Sequence, residues 1–155
     1  STRIAKHLFT AAEYHRMAEA GILGEDDRVE LIEGEIVDMA PRGSRHAASV
    51  RRSDELFSKR LTGSATVSTQ CPIQLGAHSE PELDLCLLRR RDDYYAAAHP
   101  RPEDVLLVLE VADTSLAFDL EVKLPLYARA RIPEVWVVDL NDDCVQVYRN
   151  PASDT

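Results

Sequence analysis

Val105-Leu106-Leu107-Val108-Leu109-Glu110-Val111-Ala112 is an apolar run broken by a single carboxylate. Continuous rather than alternating apolarity marks a central strand covered on both faces. A carboxylate inside such a run is costly to bury, so Glu110 asks for a reason. The same pattern occurs upstream, where Pro81-Glu82-Leu83-Asp84 opens a strand over residues 83–88 that carries Asp84. Downstream, Asp113-Thr114-Ser115 ends the central strand. A helix is predicted from about Asp119 to Arg131, with an early kink at Pro125. Ile132-Pro133-Glu134 then leads into a strand from Val135 to Leu140 containing Trp136-Val137-Val138-Asp139, and Asn141-Asp142-Asp143 turns it back into a strand from Cys144 to Arg149.

Toward the N-terminus, Thr10 and Glu13 have capping-box spacing, and Phe9 and Tyr14 stand where a hydrophobic staple places them. That helix runs to about Ala20 and stops at Gly21. Val29 to Met39 reads as two short strands around a tight turn at Glu33-Gly34. Ser44 is the expected cap of a second helix reaching about Leu61, with an apolar stripe of Ala47, Val50, Phe57 and Leu61. Arg45, Arg51, Arg52, Lys59 and Arg60 decorate its other faces, as a solvated surface or as a face that tracks phosphates. From Ala65 to Leu75 the chain alternates as a half-buried strand: Val67, Thr69, Cys71, Ile73 and Leu75 on one face, Ser68, Gln70 and Gln74 on the other. Pro72 points to an edge or a bulge. Residues 92–104 read as a polar loop with one helical turn.

At 155 residues, 45% hydrophobic and 29% charged, the chain reads as a single domain over 1–155 with a core of its own. No stretch has the length of a membrane span and no signal-peptide segment opens it, which places it in the cytoplasm by expectation. Cys71, Cys86 and Cys144 are scattered and read as free thiols. A net charge of −9 opposes passive, tight binding to nucleic acid. An enzyme whose acidic cluster is neutralised by a metal is still compatible with that charge.

If the strands bearing Asp84 and Glu110 are neighbours, their carboxylates stand together at one end of a sheet. Unpaired they would repel, and a hard divalent cation removes that penalty. Such an ion polarises a phosphoryl oxygen and lowers the pKa of an attacking water. Lys123 shares the apolar helix face of Leu120, Leu124 and Tyr127, where it can stabilise phosphate charge or orient the water. The alternatives are a surface ion pair with Asp119, four residues before it, and a side chain that snorkels past the core edge.

Glu30-Leu31-Ile32-Glu33-Gly34-Glu35-Ile36, the run Glu80 to Asp84, Leu109 to Ser115, and Lys123 to Asp139 with Tyr127, Pro133-Glu134 and Trp136 together resemble the Uma-type restriction endonuclease family of the PD-(D/E)XK superfamily. The similarity runs from Phe9-Thr10 to Tyr148. It implies an α/β fold, a restriction-endonuclease-like mixed sheet flanked by helices, with hydrolysis of DNA assisted by Mg²⁺ or Mn²⁺. It implies Asp84 and Glu110 as metal ligands and Lys123 as the lysine, because the usual lysine position two residues after the second acid is Ala112. Leu83 stands where the family usually has proline.

The resemblance further matches Glu30, as a third acid or an exposed strand residue, and His46, as a ligand, a base, or a hydrogen-bonded or merely exposed histidine. Gln70 is an added candidate from the polar face of its strand. Family members continue into further strands beyond Tyr148, so the chain is either a shorter variant or a truncated form. A sheet edge left open in that way would favour a homodimer. The competing readings are a catalytically silent binding or assembly module on the same fold, and a metal-dependent hydrolase of RNA or small phosphoesters.

Overall fold

The computed structural model describes residues 3–151. The chain forms α1 (Ala11–Glu19), the hairpin β1 (Val29–Ile32) and β2 (Glu35–Asp38), α2 (Ser44–Arg60), β3 (Ala65–Pro72), β4 (Glu82–Arg89), a 3₁₀ turn (Pro102–Asp104) and β5 (Val105–Ala112). A helical stretch over 116–129, here α3, then leads to β6 (Glu134–Asp139) and β7 (Cys144–Arg149). The large sheet has the order β3-β4-β5-β6-β7, so the apolar run is its middle strand. It is a mixed sheet: β5 and β6 are parallel and the other neighbours antiparallel.

Helices cover both faces, which explains why β5 shows no polar alternation. On one face Val50 and Phe57 of α2, with Leu61 just past its end, pack on Leu85, Leu87, Leu107, Leu109 and Val111. On the other, Leu116, Leu120, Leu124 and Tyr127 of α3 pack on Cys86, Leu88, Val108, Ala112 and Val137. A bulge interrupts the β4–β5 ladder, which passes from Leu87↔Leu107 to Leu88↔Val105. The extra residue is Leu106, which packs on the α2 side. Strict alternation predicts Leu106 on the same face as Glu110 and Val108; one inserted residue reverses that.

The N-terminal elements matter because they are fastened beside β4. Thr10 and Glu13 form the expected capping box on α1. The β1–β2 turn is tight as expected, with Glu33 and Gly34 both in the left-handed region (φ 48° and 84°) that such hairpins require. Gly34 also allows a close approach: a Cβ there would lie 2.5 Å from Leu8 Cβ. Backbone bonds Glu80 N–H to Leu31 O (2.8 Å) and Gly34 N–H to His78 O (2.7 Å) dock the hairpin on the segment that enters β4. Glu30 is thereby held next to the start of β4.

Two helix starts differ from expectation. Gly43, with extended backbone, takes the N-cap position of α2 without a side-chain bond, and Ser44 is already helical. α3 begins at Leu116 instead of Asp119 and has three parts: an α turn (Leu116–Phe118), a π turn (Asp119–Lys123) and an α segment (Leu124–Arg129). Leu124 N–H reaches back five residues to Asp119 O. Pro125 has no N–H for the carbonyl of Glu121, so a regular α ladder cannot continue through this point.

β7 lies at the edge of the sheet with Val145, Val147 and Tyr148 exposed. The expectation about strands missing after Tyr148 concerns the chain end, and residues 152–155 lie outside the described residues. No helix among the described residues is long and apolar enough to cross a membrane.

Candidate active site

Continuing the register Leu85↔Leu109 by one step sets Asp84 opposite Glu110. Backbone pairing of β4 and β5 stops there, and the two side chains take its place. Asp84 N–H donates to Glu110 Oε1 (3.0 Å), and Val111 N–H donates to Asp84 Oδ2 (2.8 Å). The strands splay at this end, so both carboxylates line an open cleft of about 290 Å³. Each is buried, Asp84 at 8% and Glu110 at 3% exposure.

Lys123 is buried with them, at 4% exposure. Its ammonium lies 2.6 Å from Glu110 Oε2 and 3.3 Å from Glu30 Oε1, and donates to the Glu82 carbonyl (3.1 Å). The surface pair with Asp119 is therefore not the arrangement adopted. Glu30, which the sequence left between a third acid and an exposed strand residue, is buried, and its Oε1 also accepts from Glu82 N–H (3.1 Å).

His46 enters the cleft from the first turn of α2 and meets Asp84, Nε2 to Oδ2, at 3.1 Å. Its Nδ1 is buried and has no hydrogen-bond partner among the described residues. Gln70 is not brought to the cleft. It is exposed, its φ is +50°, and it forms no ladder bridge with Asp84 although the register on either side (Thr69↔Leu85, Cys71↔Leu83) would pair them. That local turn takes the chain out of the alternation on which its candidacy rested. Ala112 is fully buried in the core.

Two residues were not singled out by the sequence. Arg42 lines the cleft from the loop between β2 and α2, bonds Glu82 Oε2 at 2.5 Å, and lies 3.9 Å from Asp84 Oδ1. Nothing in a Pro-Arg-Gly loop announces that. Asp119 is buried at 5% exposure, lines the same cleft, and accepts a hydrogen bond from the Ser115 hydroxyl (2.9 Å) at Oδ2. Here a signal existed: Asp119 precedes Lys123 by one helical turn, so an inward Lys123 implies an inward Asp119.

Four buried carboxylates thus share the cleft with one buried ammonium. Burial dominates Glu110 and pushes its pKa up to about 8; Lys123 pulls the other way, while Asp84 and Asp119 add to the rise. Burial also opposes the charge on Lys123, but Glu110, then Tyr127 and Glu30, outweigh it and hold the ammonium well above its ordinary value. The 2.6 Å contact is that of a charge-assisted bond, and it becomes a full ion pair as Glu110 ionises through about pH 8. Burial lifts Asp119 to about 6, with Lys123 and Ser115 opposing. Asp84 is the exception. Burial would raise it, yet the bonds from His46 and Val111 N–H and the charges of His46 and Lys123 hold it below its ordinary value.

These shifts fix a pH dependence for the metal-free protein. Glu110 and Asp119 have folded pKa values above their unfolded ones of 4.5 and 3.8. The stability they contribute is fully present below those values and is lost as pH rises through about 6 for Asp119 and about 8 for Glu110. Asp84, shifted down, contributes stability that is lost only as pH falls below about 4. Thermal melts in a chelator should peak near about pH 4 and fall by roughly 5–10 °C toward pH 9. Glu110→Gln should remove most of that slope; an unchanged slope would contradict the assignment.

The donor set suits a hard cation. Asp84 and Glu110 offer carboxylate oxygens in a cleft with surplus negative charge. No group of three or more His, Cys, Asp or Glu among the described residues forms a ready cage. Mg²⁺ does not need one, because it binds through one or two carboxylates and keeps its waters.

A mixed sheet split at one end around two acids, with a lysine brought in from the flanking helix, defines a restriction-endonuclease-like nuclease fold. The chain belongs to the Uma2 family, whose model, described as "Putative restriction endonuclease", matches residues 11–155. One solved structure with the same fold is a crystal structure described as a "putative nuclease" from Anabaena variabilis ATCC 29413. It is 16% identical, with a TM-score of 0.67 over 86% of this chain and 78% of that one. At that identity the likeness is one of fold. No curated protein matches the chain.

Proposed function

We propose that this cleft hydrolyses phosphodiester bonds in DNA, with Mg²⁺ or Mn²⁺ held by Asp84 and Glu110. The observation that supports this best is the reciprocal bonding of the two acids across the split strands, with the Lys123 ammonium 2.6 Å from Glu110. When bound, the cation supplies Lewis acidity toward a phosphoryl oxygen and acidifies a water. Glu30 fixes Lys123, and His46 and Val111 N–H fix the Asp84 carboxylate in its ionised form. The ammonium and the Arg42 guanidinium offer positive charge to a phosphate entering an otherwise acidic cleft. Direct attack by water fits a cleft in which His46 bonds Asp84 and no hydroxyl or thiol is paired with it among the described residues.

One observation favours the silent-module reading. Lys123 already satisfies Glu110 and Glu30 without any cation, as a structural ion pair would. The test is incubation of the chain with supercoiled plasmid in Mg²⁺, Mn²⁺ or chelator, with RNA and a small phosphodiester as competitors. Nicked circles that need the divalent ion and resist competition by RNA are expected. Competition by RNA or by the small ester would move the substrate class, and intact plasmid in every sample would favour the silent module.

A further inference from the structure

The proposed hydrolysis needs a group that takes a proton from the attacking water, and most of the cleft is already engaged. Lys123 has three donor hydrogens and three acceptors, Glu110 Oε2, Glu30 Oε1 and the Glu82 carbonyl. An ammonium so held has no lone pair to offer. His46 is tied at Nε2 to Asp84, and its Nδ1 is sealed from solvent. Glu110 uses one oxygen on Asp84 N–H and the other on Lys123. Asp84 Oδ2 is taken by Val111 N–H and His46.

Asp119 differs. Its Oδ2 is held by the Ser115 hydroxyl, its backbone N–H is anchored on Ser115 O (2.8 Å), and Oδ1 takes no hydrogen bond among the described residues. The residue borders the cleft, and no ion-pair partner stands within 4.0 Å among the described residues. The π turn places this carboxylate at the cleft wall together with Lys123.

We infer that Asp119 is the proton acceptor for the attacking water. The inference rests on the hydrolytic reading above. A water O–H bond breaks, its proton passes to Asp119 Oδ1, and the oxygen forms the new bond to phosphorus as the bond to the leaving oxygen breaks. The leaving oxygen takes a proton from solvent, and Asp119 returns its own to solvent. The charged and titratable groups around Asp119 are Lys123 and Tyr127 on its own helix, Glu30, Asp38, Glu82, Asp84 and Glu110 on the strands, and Arg42, His46 and Asp113 elsewhere along the cleft. Burial among those acids lifts Asp119 to about 6, which keeps it ionised and basic near neutrality.

The test compares the parent, Asp119→Asn and Asp119→Ala in single-turnover nicking from pH 5 to 9, with Mn²⁺-dependent melting of the same samples. Expected are a loss of roughly 10²–10⁴-fold in nicking for both variants and disappearance of the limb that rises through about pH 6 in the parent. The Mn²⁺-induced stabilisation should persist, and added formate should partly restore Asp119→Ala. Nicking within a few-fold of the parent overturns the inference and leaves the nuclease reading intact. Loss of the Mn²⁺ stabilisation overturns it too, by making Asp119 a cation ligand. A parent that binds Mn²⁺ and nicks nothing removes both. Should Asp119→Ala fail to fold, Asp119→Asn decides by its pH profile alone.

Discussion

Lys123→Met is expected to abolish nicking and to destabilise the metal-free protein by about 3–5 kcal/mol, the usual cost of breaking a buried ion pair. The size follows from what remains. Glu110 and Glu30 would be left at 3% and 4% exposure with no ammonium between them, and the Glu82 carbonyl would lose its donor. A buried pair is weak evidence for net stability, because desolvation offsets its attraction, but removing one member leaves an uncompensated charge. The loss should be greatest above about pH 8 and smaller near about pH 5, where the orphaned carboxylates take up protons. Mn²⁺ should return part of the loss, since a cation can replace the missing counter-charge. Chemical denaturation at two pH values, with and without Mn²⁺, measures all of this. A loss below about 1 kcal/mol, of the size seen for surface pairs, would mean that Lys123 is not held as described.

Asp84→Asn is expected to reduce nicking by at least about a thousandfold, which corresponds to ~4 kcal/mol of transition-state stabilisation. The change removes a charge while keeping the shape. The amide oxygen of the new side chain can still accept from Val111 N–H, and the bond from the residue 84 backbone N–H to Glu110 is untouched, so the splayed strands keep both cross-links. His46 loses its carboxylate partner, a cost of about 1–3 kcal/mol for a buried group left poorly bonded. Activity and folding are thereby separable: circular dichroism should report a folded protein whose nicking has gone. If nicking falls only in proportion to the folded fraction, Asp84 is a structural residue.

The central strand was legible because burial on both faces erases alternation, and β5 runs from Val105 to Ala112 as read. The hairpin at Glu33-Gly34 and the Thr10–Glu13 cap were legible because their chemistry is local. Asp84, Glu110 and Lys123 could be singled out because charged side chains inside apolar runs are costly enough to stand out. Their mutual contacts depended on which strands pair, and that is a tertiary fact.

What escaped had physical causes of the same kind. The spacing of Asp119 and Lys123 reads as a surface pair because such pairs are usually solvated; once Lys123 turns inward, the same spacing carries Asp119 inward with it. Gln70 was placed by strict alternation, which a single residue at φ +50° defeats. Leu106 changed faces because of one inserted residue. Arg42 reaches Asp84 through a loop whose path no propensity encodes. Glu30 was ambiguous until the docking of β1 on Glu80 put it beneath Lys123.

The most direct test is nicking of supercoiled plasmid by the parent and by Asp84→Asn across a Mn²⁺ titration, with bound Mn²⁺ measured on the same samples. Saturable binding and nicking that rise together in the parent, both lost in Asp84→Asn, is the predicted result. Nicking by Asp84→Asn at the parent's rate, or a parent that neither binds Mn²⁺ nor cuts, would contradict it.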